Sequence, residues 1–183
     1  IMSTNYNTQN DLLLTNLMEF YNKHNCLDIM LNIINGESKI SLRIIDWFAT
    51  NYAKKNFTVF LLTNGKRFKV YNDYKLKLKA YSKKRFDPFC RWDRITIPYN
   101  ENSSIQTTIG QLNFFKWALE NEVINYIEEN YATIEKDMNN RNSTSKNRIN
   151  DPKNKTRKKR EELSVSASRS IKKEKVEIVV SFD

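Results

Sequence analysis

From Thr108 to Met138 the chain repeats one pattern. Leu112, Phe115, Leu119, Val123, Ile127, Tyr131, Ile134 and Met138 fall three or four residues apart. That spacing lays an apolar stripe along one side of an α-helix. At its head, Thr108-Ile-Gly-Gln111 has the capping-box form, a hydroxyl for the first free amides and a glutamine three residues on. Glu120, Glu122, Glu128, Glu129 and Glu135 fall off the stripe. The pattern predicts one long helix over 108–138, and a one-sided helix of that length needs a body to lie on.

The body is read from the preceding residues. Leu13, Leu14, Leu17, Met18 and Tyr21 make a helical face that begins at Asp11 with Asn10 as its cap. A short apolar run, Leu27–Ile34, stops at Asn35-Gly36. Ser38 opens a further helix with Ile40, Ile44, Trp47, Phe48 and Tyr52 on one stripe, and Asn56 ends it. Residues 57–63 and 66–71 flank Asn64-Gly65, a pair suited to a type I′ hairpin with positive φ at both centres. Residues 73–85 fit two patterns. Alternation of Tyr74, Leu76, Leu78 and Ala80 with lysines suits a strand, while Tyr74, Leu78 and Tyr81 suit a helix capped by Asp73. The helix is preferred, and both put the lysines in solvent. Phe86-Asp87-Pro88-Phe89 leaves it, because a residue before proline avoids the helical region, and Asp87 shapes that turn. Arg94–Tyr99 reads as a strand and 101–104 as a loop.

The predicted class is therefore α+β. Residues 1–9 are loose. Residues 10–138 form a small helical domain with a β-hairpin, one further strand and the long helix at its C-terminal end. Residues 139–183 are a basic tail. Residues 139–173 have no aromatic residue and scarcely any apolar one, too little to offset chain entropy, so disorder is expected. Strand-like residues return at 176–182, either as an edge strand, as an addition to a partner's sheet, or as an apolar end without structure.

Charge is distributed unevenly. Residues 54–94 hold thirteen basic side chains against Asp73, Asp87 and Asp93, with nine aromatic rings between them. Such a patch attracts polyanions, and rings either stack on bases or fill a core. The candidate contacts are Lys66, Arg67, Lys69, Lys75, Lys77, Lys79, Lys83, Lys84, Arg85, Arg91 and Arg94 for phosphates, with Trp92 between two arginines as a stacking group. A solvated, solubilising face accounts for the same lysines, and a core indole with snorkelling arginines accounts for Trp92. In the tail, Lys155, Arg157, Lys158, Lys159 and Arg160 form a compact run of the kind found in import signals and nucleic-acid arms.

Catalytic chemistry finds little support. His24 is the sole histidine, and Cys26 two residues on makes no recognised nucleophile arrangement with it. Asp46, Asp87 and Asp93 lack a metal-ligand spacing, and there is no glycine-rich phosphate loop. Cys26 and Cys90 suggest neither a disulfide scaffold nor a zinc site. A non-enzymatic protein without a cofactor is expected. No run of eighteen apolar residues exists, so no membrane helix is predicted.

Three blocks carry a resemblance: Ser41-Leu-Arg-Ile-Ile-Asp-Trp-Phe-Ala-Thr-Asn-Tyr52, Leu78-Lys-Ala-Tyr-Ser-Lys-Lys-Arg-Phe-Asp-Pro-Phe-Cys-Arg91 and Thr107-Thr-Ile-Gly-Gln-Leu-Asn-Phe-Phe-Lys-Trp-Ala118. Over residues 27–138 the chain resembles a conserved group of uncharacterised proteins of nucleocytoplasmic large DNA viruses, whose iridovirus members are described as immediate-early infected-cell proteins. The group's second block continues with basic residues where this chain has Trp92-Asp93, which interrupts the basic run. The resemblance lends no catalytic residue. It implies a viral protein inside the infected cell or the virion, and it favours the helix over 73–85. Nucleic acid, DNA or RNA, is the expected partner. A viral or host protein with an acidic surface is the alternative, and a membrane is not expected.

Overall fold

A computed structural model describes residues 9–91, 93–149 and 172–175. The fold is α+β, with helices around two small antiparallel sheets. Helices α1 (Gln9–His24) and α2 (Leu27–Ile34) bury Leu17, Tyr21, Met30 and Leu31. The Tyr21 hydroxyl donates to the Leu112 carbonyl at 2.6 Å, so its polar end is satisfied inside the core.

The next helix begins later than the stripe suggested. Ser41, not Ser38, is its cap: Ser41 Oγ accepts from the Ile44 N–H at 3.3 Å. Ser38 Oγ serves the Ile40 N–H in the loop before it. α3 (Leu42–Trp47) passes through one wide π turn, Phe48–Tyr52, into α4 (Ala53–Asn56). The helix ends at Asn56, as expected, and Phe57 after it takes the left-handed conformation at φ 49°.

Strands β1 (Val59–Leu61) and β2 (Arg67–Lys69) pair in the expected hairpin, with Phe60 opposite Phe68. The turn is not type I′. Within the pair only Gly65 has positive φ, 79°. Its N–H donates to the Leu62 carbonyl at 2.8 Å, and the Leu62 N–H donates to the Lys66 carbonyl at 2.9 Å. This is a three-residue loop closed by a left-handed glycine. Asn64 instead accepts from the Lys66 N–H at 3.0 Å.

α5 (Val70–Phe86) follows β2 directly, which decides residues 73–85 for helix. Asp73 does not cap it. The Asp73 carboxylate accepts from Trp117 Nε1–H at 2.7 Å. At Ser82 (φ 65°, ψ 166°) the helix kinks. Beyond it Asp87 Oδ1 accepts from the Phe89 N–H at 2.9 Å and shapes the turn at Pro88, as expected.

β3 (Arg94–Asn100) pairs with β4 (Ser103–Thr108), so the expected loop over 101–104 is only the turn of a second hairpin. β4 is polar in sequence, yet Ile105, Thr107 and Thr108 are buried. β5 (Lys172–Lys175) lies antiparallel on the other side of β4, within the tail that was expected to be disordered.

The long helix is three helices: α6 (Ile109–Glu120), α7 (Val123–Glu129) and α8 (Tyr131–Ile149). The cap is as predicted, with Thr108 Oγ1 accepting from the Gln111 N–H at 3.1 Å. The stripe is real, for Leu112, Phe115, Val123, Ile127 and Ile134 are buried. The breaks fall at Asn121-Glu122 and Asn130. Each asparagine amide donates to the carbonyl four residues back, Trp117 and Tyr126, both at 2.9 Å. Glu122 is left-handed at φ 56°, and its carboxylate accepts from the Thr63 N–H at 2.9 Å and from the Thr63 hydroxyl. α8 runs on to Ile149, so 139–149 is helical where disorder was expected. The expectations for residues 1–8, for Trp92, for 150–171 and for the strand at 176–182 lie outside the described residues.

Candidate nucleic-acid interface

The basic stretch separates its two residue types by direction. Phe68 and Phe86 are buried, and Tyr74 and Tyr81 lie against Phe86 with ring centroids at 5.8 and 6.2 Å. Phe68 contacts Phe60 at 5.5 Å and Trp117 at 6.2 Å. These rings fill the core and offer no stacking platform. Helical spacing explains the sorting: Val70, Tyr74, Leu78 and Tyr81 share the inner side of α5, while Lys75 and Lys79, one turn apart, share the outer side with Leu76.

The cations fall on three elements. On α5, Lys75 and Lys79 are exposed and Lys77 is half-buried on another flank. Lys54, from the end of α4, joins Lys75 over the Tyr71 ring, each ammonium 5.6 Å from its centroid. Past the kink, Lys83 is exposed, Lys84 pairs with Asp93 at 2.7 Å, and Arg85 donates to Gln9 Oε1 at 3.1 Å. On the hairpin, Lys66, Arg67 and Lys69 are exposed. Arg91 and Arg94 are exposed near the start of β3. Among the described residues, Lys66, Arg67, Lys69, Lys75, Lys77, Lys79 and Lys83 form no ion pair. Lys55 does, with Asp137 of α8 at 3.3 Å. Trp92 and Lys155, Arg157, Lys158, Lys159 and Arg160 lie outside the described residues.

Three features emerge only from the folded structure. Phe57 is 86% exposed and Leu61 67%, with Val59 beside them in β1. A phenylalanine in the left-handed region is itself unusual. The third is Asp46 on α3. Burial, and then the neighbouring Asp87 carboxylate, push its pKa up to about 7, and burial first, then both acids, raise the Tyr74 hydroxyl. Asp93 stands instead at Lys84, and no group of three or more His, Cys, Asp or Glu among the described residues is arranged to hold a metal. His24 is exposed, its ring 4.8 Å from Phe20. Cys26 is buried, which pushes its thiol up, and both cysteines are free.

Asp46 gives a pH prediction. Its folded pKa lies above the ordinary 3.8, so between about pH 4 and 7 the folded state holds a proton that the unfolded state has released. Stability from this group therefore falls as pH rises through that window. The residue keeps part of its surface, and solvent reduces the effect to about 1–2 kcal/mol. Asp46→Asn is expected to be more stable than the parent by that amount above pH 7, with the gain gone near pH 4. Urea unfolding at both pH values measures it, and a gain that persists in acid assigns it to something else.

Among the described residues, no helix is long and apolar enough to cross a membrane. No solved structure matches the chain. It is 48% identical over 127 residues to the uncharacterised protein L507 of Acanthamoeba polyphaga mimivirus, an alignment covering 65% of this chain and 48% of that protein. The chain thus spans about half the length of the relative it matches. Residues 3–183 match a family of unknown function, DUF7197. The chain belongs to that family, and it has an uncharacterised relative in a large DNA virus.

Proposed function

We propose that this protein binds nucleic acid without catalysis, holding phosphates on the outer face of α5. The observation that carries the reading is that Lys54 of α4 and Lys75 of α5 both lie at the Tyr71 ring, with the exposed Lys79 one helical turn further along α5. Cations held close together on rigid elements neutralise adjacent phosphates and release counterions. With Phe60, Phe68, Tyr74, Tyr81 and Phe86 packed inward, the contact at α5 is to the backbone and is insensitive to sequence. The basic run 155–160 extends the same electrostatic contact. The setting is the infected cell or the virion, and an early role fits the likeness to iridovirus immediate-early proteins.

The test is fluorescence anisotropy with labelled duplex DNA and RNA across a salt series. Lys75→Glu with Lys79→Glu is expected to weaken binding roughly tenfold at moderate salt. The salt slope should fall by about one unit for each phosphate that is no longer neutralised. Equal affinity in the double variant removes the α5 face from the reading. The inward rings also suit a second reading, a virion or host-interaction protein whose lysines meet an acidic protein surface. That version expects a protein partner and no retardation of nucleic acid at moderate salt.

A further inference from the structure

We propose that the open edge of β1 is a docking site for an extended segment of a partner protein in which carboxylates alternate with apolar side chains. The inference rests on the hairpin rather than on the α5 face. β1 pairs only with β2 among the described residues. The Val70 N–H donates to Thr58 and the Leu62 N–H to Lys66, so the pairs 58/70 and 62/66 are hydrogen-bonded. By alternation along an antiparallel ladder, Val59 and Leu61 belong to the other kind of pair, and their peptide groups point away from β2. That leaves two donors and two acceptors aimed outward, enough to begin a third strand.

Natural edge strands carry charges, proline or a bulge to prevent such pairing. β2 has Arg67 and Lys69. β1 has none of these: Thr58-Val-Phe-Leu-Leu62 is uncharged, and Val59 and Leu61 are exposed beside an open hollow of about 390 Å³. Phe57, ahead of the strand, combines high exposure with a strained backbone, a cost that persists where a contact repays it.

The chemistry of the occupant follows from two observations. Arg67 and Lys69 stand opposite Leu61 and Val59 in the register, so cations flank the apolar side chains and favour a partner with carboxylates. The next residue of the outward row, Thr63, already donates its N–H to a carboxylate, Glu122 of this same chain, at 2.9 Å. A partner strand would continue along Leu61 and Val59 what Glu122 begins at Thr63.

The probe is a labelled synthetic peptide of alternating glutamate and valine, tested against the full chain. It is expected to bind, to bind roughly tenfold more weakly to Leu61→Glu and to Arg67→Glu, and to be unmoved by Lys75→Glu with Lys79→Glu. Both hairpin sites are exposed, so the variants should keep the parent's circular dichroism. Because folding changes would still confuse the result, the same peptide N-methylated at alternate amides is compared on the unaltered protein; it should lose binding, since strand addition needs those amides. Binding that survives N-methylation overturns strand addition. Equal binding of a lysine–valine peptide overturns the acidic chemistry. Displacement by oligo(dT) with no effect of Leu61→Glu assigns the surface to nucleic acid, and a dimer of the parent that Leu61→Glu dissociates assigns it to a second copy; each overturns the proposal. Loss of binding in Lys75→Glu/Lys79→Glu alone would leave the hairpin out and support only the α5 reading.

Discussion

Phe86→Ala is expected to lower the free energy of unfolding by about 3–5 kcal/mol, the range for deleting a fully buried aromatic ring. Phe86 is 1% exposed, and four rings surround it: Tyr74 at 5.8 Å, Tyr81 at 6.2 Å, Phe114 at 5.7 Å and Trp117 at 5.9 Å. Tyr74 and Tyr81 come from α5 before the Ser82 kink and Phe114 and Trp117 from α6, while Phe86 lies beyond the kink, so they cannot close together over the gap without moving a helix. Domains of this size are stable by about 5–15 kcal/mol, and such a loss takes a large share of it. Leu76→Ala on the outer side of the same helix, 65% exposed, should stay within about 0.5 kcal/mol. Urea unfolding of the two variants makes the comparison. Near-equal values would mean that the ring cluster does not hold α5 to α6.

The second large effect has an unusual sign. Alanine for glycine inside a helix normally stabilises by up to about 1 kcal/mol. At Gly110, in the first turn of α6, a Cβ would stand 2.7 Å from the Asp87 carbonyl oxygen and 3.1 Å from that of Lys84. Both obstacles are backbone. They are held by the Asp87–Phe89 turn and by the Asn113 amide, which donates to the Arg85 carbonyl at 2.9 Å. Gly110→Ala is therefore expected to destabilise by about 2–3 kcal/mol, the cost of overpacking, and to lower Tm by several degrees. A rise in Tm would show that the end of α5 and the start of α6 are free to separate.

Much of the secondary structure was legible because its causes lie within a few residues. The hydroxyl of Thr108, the Asp87 side chain at its turn and the apolar stripes of α1 and α2 each act locally and as read, and Gly65 turns the hairpin, though in a three-residue loop rather than the expected type I′ turn. The α5 helix was half-legible, since lysines alternating with apolar residues satisfy both periods. Its placement directly after β2, and the pull of Trp117 on Asp73, decided between them. The polar strand β4 was missed because a strand covered on one face by few residues has almost no apolar signal. Of the candidate site, the exposure of the lysines was legible, but their division among hairpin, outer helix face and post-kink cluster was not.

What the order of residues settled alone is which side of the apolar helices faces inward, and where a few elements begin, at Leu27, Arg94 and the Thr108 cap, because periodicity and caps are properties of neighbours in the chain. The rest was decided by partners far apart in sequence. Glu122 leaves the helical path while binding Thr63 across the molecule, Lys55 finds Asp137, and Lys54 and Lys75 share one tyrosine ring. A charge in a sequence has a sign but no surroundings. Whether it is available to a phosphate or already held by a carboxylate depends on distances that exist only after the helices have packed.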